Sequence, residues 1–195
     1  MRKQLFPSRA GLGLALVLAL ALLPCLGLGA AEQADPRELV QKGDLAKVSE
    51  DWYGAIEAYL SALSRNPSYA QALAGLAECY YALDEYDQAL SYVRKAAPLM
   101  RGDSSIRDLE GFIRIGLSDL EGAAALFNGV LSERPNDLDS RFGLSLLDLA
   151  QGKKTEARGK LEDSLRISPQ NARALLSLAL IAADHASRAK SEFLS

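Results

Sequence analysis

A 34-residue period governs this chain from Pro36 almost to its end. Segments starting at Pro36, Ala70, Ser104, Leu138 and Ala172 align without a gap. The twentieth position then reads Ala55, Ala89, Ala123 and Ala157, and the twenty-fourth Tyr59, Val93, Phe127 and Leu161. The thirty-second reads Pro67, Arg101, Pro135 and Pro169. A fixed period of this length marks stacked supersecondary units, and 34 residues is the size of a helix–turn–helix unit. The expected fold is therefore all-α: an α-solenoid of helix pairs. Its units are 36–69, 70–103, 104–137 and 138–171, with 172–195 a partial or capping unit of shortened helices.

The residue types have physical reasons. Two antiparallel helices approach closely only where side chains are small, which suits Ala at the crossing, with a large apolar residue filling the gap beside it. Proline stops the second helix of a unit. Asp35, Asp103, Asp137 and Asn171 stand just before first helices, where their side-chain oxygens accept orphaned backbone N–H groups. Two places break the pattern. Pro98 comes early in the second unit, predicting a shortened helix and a longer connection through Arg101 and Gly102. In the fifth segment Leu175, Leu178 and Ala182 keep the first-helix pattern, while Ala189 and Phe193 sit two residues early for a second helix.

The chain resembles the tetratricopeptide repeat family in these residues: Gly43, Ala55, Tyr59, Ala62 and Pro67; then Leu73, Leu76, Tyr80, Ala89 and Ala96; then Gly111, Ala123, Phe127 and Pro135; then Leu144, Ala157, Leu161 and Pro169. The resemblance implies a non-enzymatic scaffold that binds a protein or peptide in a concave groove lined by the first helices. Carried over residue by residue, the groove reads Arg37, Val40, Asp44 and Lys47; Gln71, Ala74, Glu78 and Tyr81; Ser105, Asp108, Phe112 and Ile115; Asp139, Phe142, Leu146 and Leu149. Family members that clamp a terminal carboxylate use Lys and Asn where this chain has Val40 and Asp44, then Ala74 and Glu78, which argues against clamping. The groove is polar at its start and apolar toward its end, where Leu176 and Leu180 extend the strip. Two readings of the strip stay open: core packing, and a partner's amphipathic helix or apolar peptide. A homodimer formed through the strip is the alternative to a foreign partner.

The N-terminus reads as a separate object. Arg2, Lys3 and Arg9 precede the apolar run Leu12–Leu23, and Gly29, Ala30 and Ala31 precede Glu32. This three-part pattern is that of a secretory signal peptide over residues 1–31, cut after Ala31 or Ala30. It predicts an exported protein of a bacterial cell envelope, periplasmic in the first reading. An uncleaved anchor is the alternative. Leu22-Leu23-Pro24-Cys25 resembles a lipoprotein processing site but has Pro24 where a small residue is expected. On any of these readings the membrane is met only through this segment.

Charge and chemistry narrow the function further. The chain has 22 Lys+Arg against 25 Asp+Glu; the segment through Ala31 holds three of the basic residues, leaving 19 against 25. No basic stripe marks a nucleic-acid partner. Of the two cysteines, Cys25 falls in the N-terminal segment, so Cys79 is expected as a buried thiol at the position of Leu45, Ile113 and Leu147. His185 is the single histidine, with no cysteine or second histidine at metal-ligand spacing and no nucleophile paired to it. It is expected to be solvated. Gly111 and Gly116 lack the strand and the Gly-Lys-Ser/Thr run of a phosphate loop. Glu50-Asp51 and Asp84-Glu85 fall in inter-helix turns, and Trp52 opens a second helix, where edge packing suffices. No catalytic set and no cofactor are expected.

Overall fold

Each second helix buries one stripe at the spacing the period predicts. In α2 (Trp52–Arg65) Ala55, Ala58, Tyr59 and Ala62 are buried, the three- and four-residue steps of one helix face. The same stripe is Ala89, Val93 and Ala96 in α4 (Tyr86–Ala96), Ala123, Phe127 and Val130 in α6 (Leu120–Glu133), and Ala157, Leu161 and Ser164 in α8 (Lys154–Ile167). The first helices are α1 (Pro36–Val48), α3 (Ala70–Ala82), α5 (Ser104–Gly116), α7 (Leu138–Ala150) and α9 (Ala172–Leu194). These come from a computed structural model that describes residues 35–194, of which the side chains of Ala186 and of residues 188–194 are excepted. The proposed export segment, both cleavage points and Cys25 lie outside the described residues. Among those residues the regular secondary structure is entirely helical.

Large residues from second helices lock neighbouring units together. The Tyr59 ring lies between Gly43 of its own unit and Gly75 of the next, and the Phe127 ring lies between Gly111 and Gly143. A Cβ on Gly43 or Gly111 would stand 2.6 Å from the ring, so glycine is what lets the ring lie flat on the helix. The core is accordingly a row of local clusters. One joins Val40, Ala55, Tyr59, Leu76 and Cys79; the next joins Leu73, Ala89, Val93, Ile106 and Ile113. Phe127 with Leu147, then Leu161 with Ala174 and Ile181, continue it. Trp52 packs on the edge of the first cluster. Cys79 is fully buried, which pushes its thiol up to about 11 and keeps it unreactive. Leu45 departs from its counterparts Ile113 and Leu147: it is 71% exposed, because the first unit has no preceding second helix to cover that position among the described residues.

Caps and stops account for the helix boundaries. The side chains of Asp103, Asp137 and Asn171 accept from Ser105, Ser140 and Ala174 N–H at 3.0–3.1 Å. Asp51 and Asp119 cap second helices the same way, accepting from Gly54 and Gly122 N–H at 3.0 Å. Pro67, Pro98, Pro135 and Pro169 each stand two residues past a second helix. The early Pro98 shortens α4 to 11 residues, against 14 in α2, α6 and α8. The fifth segment differs from expectation. Its helical residues form one unbroken 23-residue helix, α9, rather than a first helix and a shortened second one.

The turn between the two helices of a unit always passes through one left-handed residue: Glu50 (φ 58°), Asp84 (59°), Ser118 (61°) and Gly152 (75°). Only the fourth unit places glycine there. For the others this conformation costs roughly 1–2 kcal/mol. Ser118→Gly should therefore stabilise the chain by about 0.5–1 kcal/mol after the entropy that glycine adds to the unfolded state is deducted. Urea denaturation measures it; an unchanged or lower midpoint would mean the turn is not strained.

Candidate functional site: the inner face of the first helices

Consecutive first helices from α1 to α7 touch one another, while consecutive second helices touch little. The stack therefore curves with the first helices inside, and the inner face is one continuous surface. Its two ends differ in chemistry.

The early end is polar and self-satisfied. Lys47 pairs with Glu78 across α1 and α3. Tyr59 O–H donates to Asp44 Oδ1 at 2.6 Å, and burial with this bond pushes the phenol far above its usual range. Val40 and Ala74, the fifth positions of the first two units, are buried. Tyr81 is tilted on Tyr86 with ring centroids 6.0 Å apart. Burial, then Asp84, raises its pKa, and Arg173 from the start of α9 opposes them, so that charge is felt across the face.

The late end is aromatic and aliphatic. Phe112 stands between Phe127 (centroids 5.2 Å apart) and Phe142 (6.2 Å), both tilted. The Arg173 guanidinium lies 5.3 Å over the Phe142 ring and pairs with Asp139, a cation–π geometry. Ile115 packs beside Phe112 on the Phe127 cluster. Leu146 and Leu149 join Leu180, Ile181 and Ser177 around an open pocket of about 330 Å³, rimmed by the Lys154–Asp184 pair. Phe112, Ile115, Phe142, Leu146 and Leu149 are all half-buried; Phe112 and Ile115 pack on the Phe127 cluster, and Phe142 and Leu149 on the Leu161 cluster.

Asp108 behaves differently from the other charged groove positions. It is only 3% exposed and accepts from the Ser140 hydroxyl of α7. Burial pushes its carboxyl up to about 6, with Asp137 and Asp139 adding to the shift and Ser140 and Arg107 opposing it. It ties α5 to α7 rather than meeting solvent.

Sequence reasoning missed Arg173 and the Lys154–Asp184 rim. The signal for Arg173 was there, since it holds the second position of the fifth segment, a groove position in the preceding four. His185 is exposed. No group of three or more His, Cys, Asp or Glu among the described residues is arranged to hold a metal ion. What the face offers is apolar surface with ion pairs at its rim, the composition of a binding surface.

A solenoid of 34-residue helix pairs with such an inner face defines a class of protein-interaction scaffold. Two Tetratricopeptide repeat family patterns match residues 49–111 and 113–172, the second again at 143–191. The chain belongs to the tetratricopeptide repeat family. Solved structures share the fold at low identity. TTC0263, a thermophilic repeat protein of Thermus thermophilus, is 20% identical over 77% of this chain and 83% of its own, with a TM-score of 0.67. MamA residues 41–end from Desulfovibrio magneticus RS-1 is 16% identical over 71% and 78%, with a TM-score of 0.62. Another MamA crystal structure is 20% identical over 80% and 85%, with a TM-score of 0.60.

Proposed function

We propose that this chain is a non-enzymatic scaffold that holds an apolar, amphipathic helical segment of another protein against the late end of its inner face. The observation that carries the reading is the half-buried strip Phe112, Ile115, Phe142, Leu146 and Leu149, continued by Leu180, which is 63% exposed. A soluble surface rarely leaves a contiguous strip of large apolar residues without a use. A helix laid in a groove with apolar anchors one turn apart is the mode that fits it. The ion pairs Arg173–Asp139 and Lys154–Asp184 form the polar rim of such a site.

The place of action we propose is a bacterial cell envelope, and assembly of envelope proteins is the role within it. The location rests on the basic start, apolar run and small residues of the first 31 residues, and the assembly role on the resemblance to the family alone. No helix among the described residues is long and apolar enough to cross a membrane.

The test compares Leu180→Ser and Phe142→Ser with the unsubstituted chain. A photo-crosslinker at Leu146 should capture a partner from an envelope extract, and the captured partner's binding is then titrated. Leu180→Ser should leave the melting temperature unchanged, because the side chain is largely in water. Both substitutions should weaken binding by roughly tenfold or more, the effect of removing an apolar anchor. Full retention of binding in both would remove the groove from the mechanism.

A further inference from the structure

The pocket at the late end of the inner face stands where the three earlier units fill the same space themselves. The seventeenth position of a unit opens its second helix, and it reads Trp52, Tyr86, Leu120 and then Lys154. The first three are half-buried and pack on the cluster that holds the tenth-position residue of the next unit: Cys79, Ile113 and Leu147. Tyr86 shows the full arrangement. Its ring is tilted on Tyr81, the twelfth position of its own unit. It also lies so close on Gly116, the thirteenth of the next unit, that a Cβ there would stand 2.5 Å away. The corresponding residues at the end of the array are Leu149, Lys154, Ile181 and Asp184, and all four line the pocket of about 330 Å³. Leu146 and Leu180 complete its apolar wall. A lysine does not plug such a space, because its ammonium stays hydrated or paired. Lys154 pairs with Asp184 at the mouth, where 28% and 41% of the two side chains are exposed, and the space behind them is open.

We propose that this pocket takes a tryptophan or tyrosine side chain of the helical segment held in the groove. The chain's own residues define the occupant, since the pocket repeats the Tyr86 site with the ring replaced by a lysine that stays at the mouth. The leucine and isoleucine walls suit a flat apolar ring, and the polar atoms suit its handle. In the second unit the Tyr86 hydroxyl donates to Asp84. At the mouth of the pocket the Asp184 carboxylate is the acceptor that a phenol O–H or an indole N–H would meet. Lys154 supplies a cation beside the ring, a pairing this chain already makes with Lys95 over Tyr92 (5.0 Å) and Arg173 over Phe142 (5.3 Å). An aliphatic side chain would use the wall but neither the acceptor nor the cation. The proposal rests on the groove reading and goes beyond it, because that reading names no side chain of the partner.

The test titrates indole, the ring of tryptophan, into the full chain and two double variants, read by methyl NMR of Leu149 and Ile181, with cyclohexanol as the aliphatic probe. Lys154→Leu with Asp184→Ala copies the pairing of Leu120 with Ala150 one unit earlier and fills the pocket from within. Lys154→Ala with Asp184→Ala loses the same ion pair and leaves the space open. The full chain should bind indole saturably and more tightly than cyclohexanol. The filled variant should bind indole about tenfold more weakly than the open one. It should also melt at a higher temperature than the open one, because filling a cavity stabilises. No saturable shift in the full chain would overturn the proposal, as would equal indole affinity in the two double variants or a preference for cyclohexanol. A partner captured at Leu146 separates the two readings. If Leu180→Ser weakens its binding while the filled and open variants bind it alike, the aromatic anchor fails and the groove stands. Full retention of binding in Leu180→Ser and Phe142→Ser removes both.

Discussion

Phe127→Ala should lower the unfolding free energy by about 3–5 kcal/mol, the usual cost of removing a buried aromatic ring. The upper part of that range is expected because the site cannot collapse. The ring is fully buried and occupies the space left by two glycines, Gly111 in its own unit and Gly143 in the next. With no side chain on either glycine, the two helices that face the ring have nothing to move into the cavity from their side. The ring also carries Phe112, tilted on it at 5.2 Å, so the groove wall loses its support. Interactions in a solenoid run only between neighbours. The loss should therefore break cooperativity between the third and fourth units, and urea denaturation followed by circular dichroism should show two transitions in place of one. A single transition shifted by less than about 1 kcal/mol would mean that the unit interface does not depend on this ring.

The same geometry explains what was legible in the sequence. Ala123 and Phe127 recur because a close helix crossing beside a filled gap admits few alternatives, so the period, the helix pairs and the buried faces could be read directly. Prolines two residues past second helices and caps such as Asp137 marked the boundaries. The left-handed turn residues were not legible, because Glu50, Asp84 and Ser118 are not the glycine such a turn favours and only Gly152 carries the signal. The continuity of α9 has a related cause. At the position where each complete unit turns, the fifth segment has Ala186, the best helix former, and the backbone stays helical. In the groove, position alone named Phe112, Phe142 and Leu146 but could not say how each divides between core and surface. It also could not foresee that Asp108 is sealed beneath the face, since that depends on how closely α7 packs on α5.

Asp108 should make the native chain less stable as pH rises from about 4 to about 6, the reverse of the usual carboxylate. Its carboxyl ordinarily titrates near 3.8 and is raised to about 6 in the fold, first by burial and then by Asp137 and Asp139. Between those values the unfolded chain gives up the proton while the folded chain keeps it. The folded state thus binds more protons, and stability falls with increasing pH. Below the lower value both states are protonated and the full contribution is present; above about pH 6 it is lost and the curve is level. The span corresponds to roughly 1–3 kcal/mol. Asp108→Asn should remove this dependence, since the amide oxygen still accepts from the Ser140 hydroxyl and no charge is buried. At pH 8 the variant should be more stable than the native chain by that amount, and near pH 4 the two should converge. Chemical denaturation of both chains across this range measures the difference. Parallel curves would place the carboxylate in contact with water and remove it from the α5–α7 interface.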